Sequence, residues 1–157
     1  MTPKGKHEFI PTIKSINSRY GLLSTQWNKF IVKVMLENAE KELTSNGVPS
    51  ENIIKIEVPG AYELPLAAKR VLDMDVDVVI ALGAVIKGET PHFTFISSSC
   101  AYGLTRVSLE ANKPVLFGVL TTETEEQAIQ RADPDKGNKG AEVAQSAMEL
   151  LEQFASL

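Results

Sequence analysis

The run Val76-Asp77-Val78-Val79-Ile80-Ala81-Leu82, interrupted by one polar residue, narrows what this chain can fold into more than any other feature. Side chains alternate between the two faces of a strand, so an apolar run without alternation has apolar partners on both sides, as in a parallel sheet covered by helices. The predicted strand ends at Leu82, in a loop that contains Gly83. Around it the pattern switches repeatedly between strand and helix. A short strand, Tyr20-Gly21-Leu22-Leu23-Ser24, leads to a helix over residues 28–45, where Val32, Met35, Leu36, Ala39 and Leu43 share one face and Asn46-Gly47 forms the stop. A second strand, Ile53-Ile54-Lys55-Ile56-Glu57-Val58, is halted by Pro59-Gly60, and helical spacing resumes at Leu64, Ala67, Ala68, Val71 and Leu72. Beyond residue 82 the pattern predicts a helix over 91–111, a strand over 114–120, a short helix through 126–129 and a last helix over 140–154. Such alternation predicts a three-layer α/β/α sandwich around a right-handedly wound, four-stranded parallel sheet. Its binding crevice should lie at the carboxyl ends of the strands.

At 157 residues the chain holds one such domain, with a core large enough to need no staples. Residues 1–18 read as an N-terminal arm, because residues 4–18 have no evident partner in the pattern and could be mobile or lent as a strand to a neighbour. A net charge of -4 argues against nucleic acid or an anionic membrane as the main partner, since both reward excess Lys and Arg. Cys100 is the only cysteine, which precludes an intrachain disulfide and makes a reducing, cytoplasmic setting the expectation. No stretch approaches the roughly 18 apolar residues of a membrane span, and the chain reads as soluble and unprocessed. Two histidines and one cysteine, widely spaced, form a poor ligand set, so no metal is expected.

Three clusters fall where the winding places carboxyl ends of strands. Gln26-Trp27-Asn28 follows the first strand. A lone Trp is more often core than platform, yet at a strand-to-helix loop it can stack a flat heterocycle. The second cluster surrounds Gly60, Ala61, Tyr62 and Glu63, where the carboxylate fits either a cap favoured by the helix dipole or a binder of hydroxyl groups. The third runs from Gly83 through Lys87-Gly88-Glu89-Thr90-Pro91-His92. With Thr90 as cap and Pro91 at the first helical position, outward N–H groups could cradle a phosphate, while the Walker order of glycines and lysine is missing. His92 stands at the lip of that cradle, and an imidazole is the side chain best suited to general acid–base work at physiological pH. Farther along, Arg131 could clamp a phosphate in bidentate fashion, and Lys139 sits in Gly137-Asn138-Lys139-Gly140; taken alone, such a cation is more often a solvated charge or an ion-pair partner. These residues describe an α/β enzyme or binder for a flat, phosphorylated or polyhydroxylated ligand.

The ordered runs Val58-Pro59-Gly60-Ala61-Tyr62-Glu63-Leu64-Pro65, Leu82-Gly83-Ala84-Val85-Ile86-Lys87-Gly88-Glu89-Thr90-Pro91-His92-Phe93, Pro114-Val115-Leu116-Phe117-Gly118-Val119-Leu120-Thr121 and Glu126-Gln127-Ala128-Ile129-Gln130-Arg131-Ala132 resemble the lumazine synthase family. The likeness extends from about residue 20 to 154 and implies a flavodoxin-like sheet. It implies condensation of 5-amino-6-(D-ribitylamino)uracil with 3,4-dihydroxy-2-butanone 4-phosphate to 6,7-dimethyl-8-ribityllumazine, the penultimate step of riboflavin biosynthesis, without cofactor. By the resemblance Trp27 stacks the pyrimidine in place of the usual Phe, and Ala61, Tyr62 and Glu63 hold the ribityl chain. Ala84, Val85 and Ile86 read the pyrimidine edge through their backbone. Glu89 and Thr90 belong to the phosphate loop, and His92 shuttles protons. Phe117, Arg131 and Lys139 would come from a neighbouring subunit, in a homopentamer that in many members closes into an icosahedral capsid of sixty chains, with riboflavin synthase as a further partner. Two other readings stay open: a riboflavin-binding or shell-forming protein with little catalysis, which Trp27 favours, and a flavodoxin-like electron carrier, which gives no reason for His92 and Arg131.

Overall fold

A computed structural model describes residues 10–157. In chain order the elements are α1 (Ile13–Asn17), β1 (Tyr20–Thr25), α2 (Lys29–Ser45), β2 (Ile53–Val58), α3 (Leu64–Leu72), β3 (Val78–Ile86), α4 (His92–Ala111), β4 (Val115–Thr122), α5 (Glu125–Ala132) and α6 (Lys139–Ala155). All strand pairs are parallel and the order is β2-β1-β3-β4. The chain therefore winds outward from β1 to β2 and then returns past β1 to β3, so the order reverses between β1 and β3. At that reversal the loops leave the sheet on opposite sides and open a crevice.

The unbroken apolar run in β3 is explained by its two faces. Val78, Ile80 and Leu82 enter one core with residues of α2, α5 and α6, whereas Val79 and Ala81 enter a second core with α3 and α4. The sequence pattern thus reports a central strand with helices above and below, the three-layer sandwich expected from it.

The strand is, however, displaced from the predicted residues 76–82. It begins at Val78 and continues through Gly83 to Ile86. The reason lies in β4, which runs beside it as far as Thr122 and supplies backbone partners for residues 83–86 after β1 has ended. Gly83 is not a turn: a Cβ there would stand 3.3 Å from Thr25 Cγ2, so the glycine serves close packing of adjacent strands. Helix α4 likewise starts at His92 with Pro91 as its cap residue, one position later than predicted.

Part of the expected arm has a partner. The portion before residue 10, including His7, lies outside the described residues. Residues 13–17 form a short helix held to α6 by Glu152, whose Oε1 accepts from Ser15 Oγ at 2.6 Å and from the Thr12 N–H. Below it the buried Tyr20 hydroxyl donates to the Ser15 carbonyl at 2.7 Å. Burial pushes the Glu152 carboxyl up, but the hydrogen bonds from Ser15 and Thr12 outweigh it, and its pKa lies below the ordinary value. A carboxyl lowered by folding stabilises the fold above its unfolded value, near 4.3, and loses that contribution as pH falls through the lower folded value. Glu152→Gln is therefore expected to lower Tm by about 2–4 °C at pH 7, and thermal melts at descending pH should show that gap closing below about pH 4.

Candidate active site

Trp27 is 73% exposed in the turn that leaves β1. Two backbone bonds fasten that turn to the exit of β2, from Gln26 N–H to the Val58 carbonyl at 2.9 Å and from Trp27 N–H to the Pro59 carbonyl at 3.1 Å. The indole edge lies against Gly60, where a Cβ would stand 3.2 Å from Trp27 Cδ1, so only glycine lets the ring approach this closely. Glu63 closes the same turn: its Oε2 accepts from the Gly60 N–H at 2.9 Å. Its other carboxylate oxygen has no partner among the described residues. The capping and ligand-binding readings of Glu63 are thus compatible, one for each oxygen. Ala61 is buried beside it and Tyr62 is 62% exposed.

Alternation along β3 decides which backbone groups face the crevice. Val79 N–H donates to the Pro114 carbonyl and Lys87 N–H to the Thr122 carbonyl, so odd-numbered residues from 79 to 87 point their N–H and C=O toward β4. Even-numbered residues point toward β1. Pairing with β1 ends at Leu82, and the N–H and C=O of Ile86 consequently turn toward the space where β1 is no longer present. Val85, by contrast, bonds to β4. Of the three residues expected to read a pyrimidine edge, Ile86 offers a donor and an acceptor to the crevice, and Val85 does not. Ala84 has its carbonyl occupied by Asn28 Nδ2 at 2.9 Å.

The loop that follows carries the candidate anion site. Among the described residues the N–H groups of Glu89, Thr90 and Phe93 have no acceptor, while Thr94 N–H is taken by the Pro91 carbonyl at 3.0 Å. Thr90 Oγ1 accepts a long bond, 3.4 Å, from His92 N–H. His92 is exposed as the first residue of the 20-residue helix α4, where the positive end of the helix dipole faces the loop. Lys87 pairs with Glu123 at 3.2 Å and so is turned toward the neighbouring loop.

Phe117, Arg131 and Lys139 form a separate group. With Thr121 and Glu142 they line a depression of about 230 Å³ beside β4, and neither Trp27, Glu63 nor His92 reaches it. Gly137 also lines it, and Gly140 lies buried just beyond. A Cβ on Gly137 would meet the Arg131 backbone oxygen at 2.7 Å, and one on Gly140 would meet the Met35 carbonyl oxygen at 2.1 Å, which folds the Gly137-Asn138-Lys139-Gly140 turn tightly between α5 and α2. Arg131 is exposed and pairs with no carboxylate among the described residues; Lys139 Nζ lies 2.9 Å from Glu142 Oε1.

Cys100 is fully buried, and burial pushes its thiol up to about 12, which removes it as a nucleophile. Among the described residues no three His, Cys, Asp or Glu side chains cluster as metal ligands, and no helix is long and apolar enough to cross a membrane. Sequence reasoning assigned no role to Asn28 or Glu142. For Asn28 a signal existed: asparagine tolerates the left-handed backbone that a turn beside Trp27 requires, and its φ is 56°.

A doubly wound α/β protein with an exposed indole, an unpaired backbone edge, a helix-opening loop and an imidazole at its strand exits has the architecture of the α/β enzymes that bind their ligands at the reversal point of the sheet. The family profile of 6,7-dimethyl-8-ribityllumazine synthase matches residues 17–155. A 6,7-dimethyl-8-ribityllumazine synthase of Cytophaga hutchinsonii is 46% identical over 152 residues, covering 96% of each chain. The chain belongs to the lumazine synthase family and is a transferase of riboflavin biosynthesis.

Proposed function

We propose that the chain condenses 5-amino-6-(D-ribitylamino)uracil with 3,4-dihydroxy-2-butanone 4-phosphate, in a site completed by a neighbouring copy of itself. The observation that carries the reading is the division of the site residues. Stacking plate, ribityl-binding turn, backbone edge and imidazole gather at the exits of β1, β2 and β3, whereas Phe117, Arg131 and Lys139 line a different depression. A cleft for two substrates needs both halves, and a second subunit can supply the one that each chain lacks locally. Helix α4 supports association, because Phe95, Tyr102 and Leu109, seven residues apart on one stripe, are each at least 69% exposed. The assembly proposed is a homopentamer, and an icosahedral shell of sixty chains is its larger form. Riboflavin synthase, as consumer of the product, is the further partner. A cytoplasmic setting and a single domain over residues 1–157 complete the reading.

In this mechanism Trp27 stacks the pyrimidine, Ile86 reads its edge, and the second Glu63 oxygen accepts from ribityl hydroxyls. The phosphate is held by the loop N–H groups of Glu89 and Thr90 and by the neighbour's copy of Arg131. The amine condenses with the ketone to form an imine and water, elimination of phosphate leaves an enol that tautomerises to a second ketone, and the ribitylamino nitrogen closes the ring on that carbonyl with loss of a second water. His92, at the anion site, moves protons in these steps, and fixed orientation of two substrates supplies much of the acceleration. His92→Ala is expected to lower kcat roughly 100-fold without abolishing it. The test mixes purified protein with both substrates and follows lumazine fluorescence while light scattering gives particle mass. Active monomers, or no lumazine from wild-type protein, would overturn the proposal. Riboflavin quenching of Trp27 without turnover would favour the flavin-carrier reading, which the exposed indole also supports.

A further inference from the structure

The crevice edge of β3 is held in place by a residue with no assigned part in the chemistry. Asn28 adopts a left-handed conformation, φ 56° and ψ 40°, immediately after Trp27 and immediately before α2. A non-glycine residue in this region carries a backbone cost, which points to a requirement elsewhere. The side chain shows what the requirement is. Beyond Leu82 the β1 side of β3 has no ladder partner, and the Ala84 carbonyl faces that side in a buried residue. Left alone it would be an unsatisfied acceptor; Asn28 Nδ2 donates to it at 2.9 Å and takes the place of the missing strand. One residue thus does two things. Its backbone turns the chain so that Trp27 faces the crevice, and its amide pins β3 two residues before Ile86, whose N–H and C=O remain free.

We infer that Asn28 is a positioning residue for the pyrimidine substrate, setting the separation between the Trp27 plate and the Ile86 backbone edge. The inference rests on the pyrimidine-binding role proposed for the β1 and β3 exits. It is specific to that half of the site. The Arg131 depression lies on other elements, and the anion loop, although it continues β3, is tied to β4 at its start by the bond from Lys87 N–H to the Thr122 carbonyl, so the phosphate substrate should be far less sensitive to it.

Two variants separate positioning from mere folding, since glycine and aspartate both accept left-handed backbone. Asn28→Gly removes the amide, and Asn28→Asp sets a carboxylate oxygen against the Ala84 carbonyl. In steady-state assays on the intact assembly, both are expected to raise KM for the pyrimidine amine roughly fivefold to tenfold, with KM for the ketose phosphate within twofold of wild type. Trp27 quenching by 6,7-dimethyl-8-ribityllumazine should weaken by a similar factor. A wild-type protein with normal turnover beside variants whose pyrimidine KM is unaltered would overturn the inference alone. So would equal rises in both KM values, the mark of general loosening. If wild-type protein formed no lumazine, the proposed function itself would fail and carry this inference with it.

Discussion

Arg131→Ala is expected to raise KM for the phosphate-bearing substrate by roughly 10- to 100-fold while changing kcat at saturation far less. A charge-assisted, bidentate bond to phosphate is among the stronger polar contacts a site can make, about 1.5–3 kcal/mol, and that range sets the expected factor. The geometry favours such a role over an ordinary surface charge. Arg131 is exposed in the last turn of α5, pairs with no carboxylate among the described residues, and lines the depression with Phe117 and Lys139. Its main chain is fixed by the Gly137 turn, so the guanidinium starts from a defined base. A loss confined to KM would mark binding shared by ground and transition states. Arg131→Lys should recover only part of the affinity, because an ammonium cannot reproduce the planar fork. Substrate titrations in which Arg131→Ala matched wild type would remove the residue from the site.

Gly140→Ala should be the most damaging single methyl in the described structure. The added Cβ would lie 2.1 Å from the Met35 carbonyl oxygen, and the atom it meets is backbone, which cannot swing aside as a side-chain tip can. Helices α2 and α6 would have to separate, opening the core in which Met35, Ala39, Ala144, Ala147 and Met148 are fully buried. Overpacking of this kind costs about 3 kcal/mol or more, a Tm drop of roughly 6–12 °C for a chain of this length. Gly88→Ala is the matched control: a Cβ there meets nothing within 4 Å, and its melting curve should overlay that of wild type. Equal melts for the two variants would contradict the close approach of α2 and α6.

Much of the fold is legible in the residues because the signal is local. The β2 run needs only its β-rich alternation and the Pro59-Gly60 stop, and the predicted limits coincide with Ile53–Val58. Where the reading slipped, a distant partner decides the outcome. Residues 83–86 remain a strand because β4 travels beside them, and Gly83 mimics a turn signal while serving a close contact with Thr25. Residues 13–17 are too few to hold a helix unaided, and the carboxylate that holds them is 137 residues away. The site divides in the same manner. Trp27, Glu63 and His92 were visible as unusual residues at predicted strand exits. The parity that frees Ile86 and occupies Val85 needs a register that no pattern of side chains reveals.

Burial of Cys100 has a practical corollary. Burial pushes the thiol far above neutral pH, so almost none of it is thiolate at pH 7, and the fully buried sulfur is out of reach of reagents in the native protein. The chain is in effect a cysteine-free background. A single thiol introduced at the open position 88 would take up a maleimide dye or spin label alone, giving a reporter on the anion loop without prior removal of the natural residue.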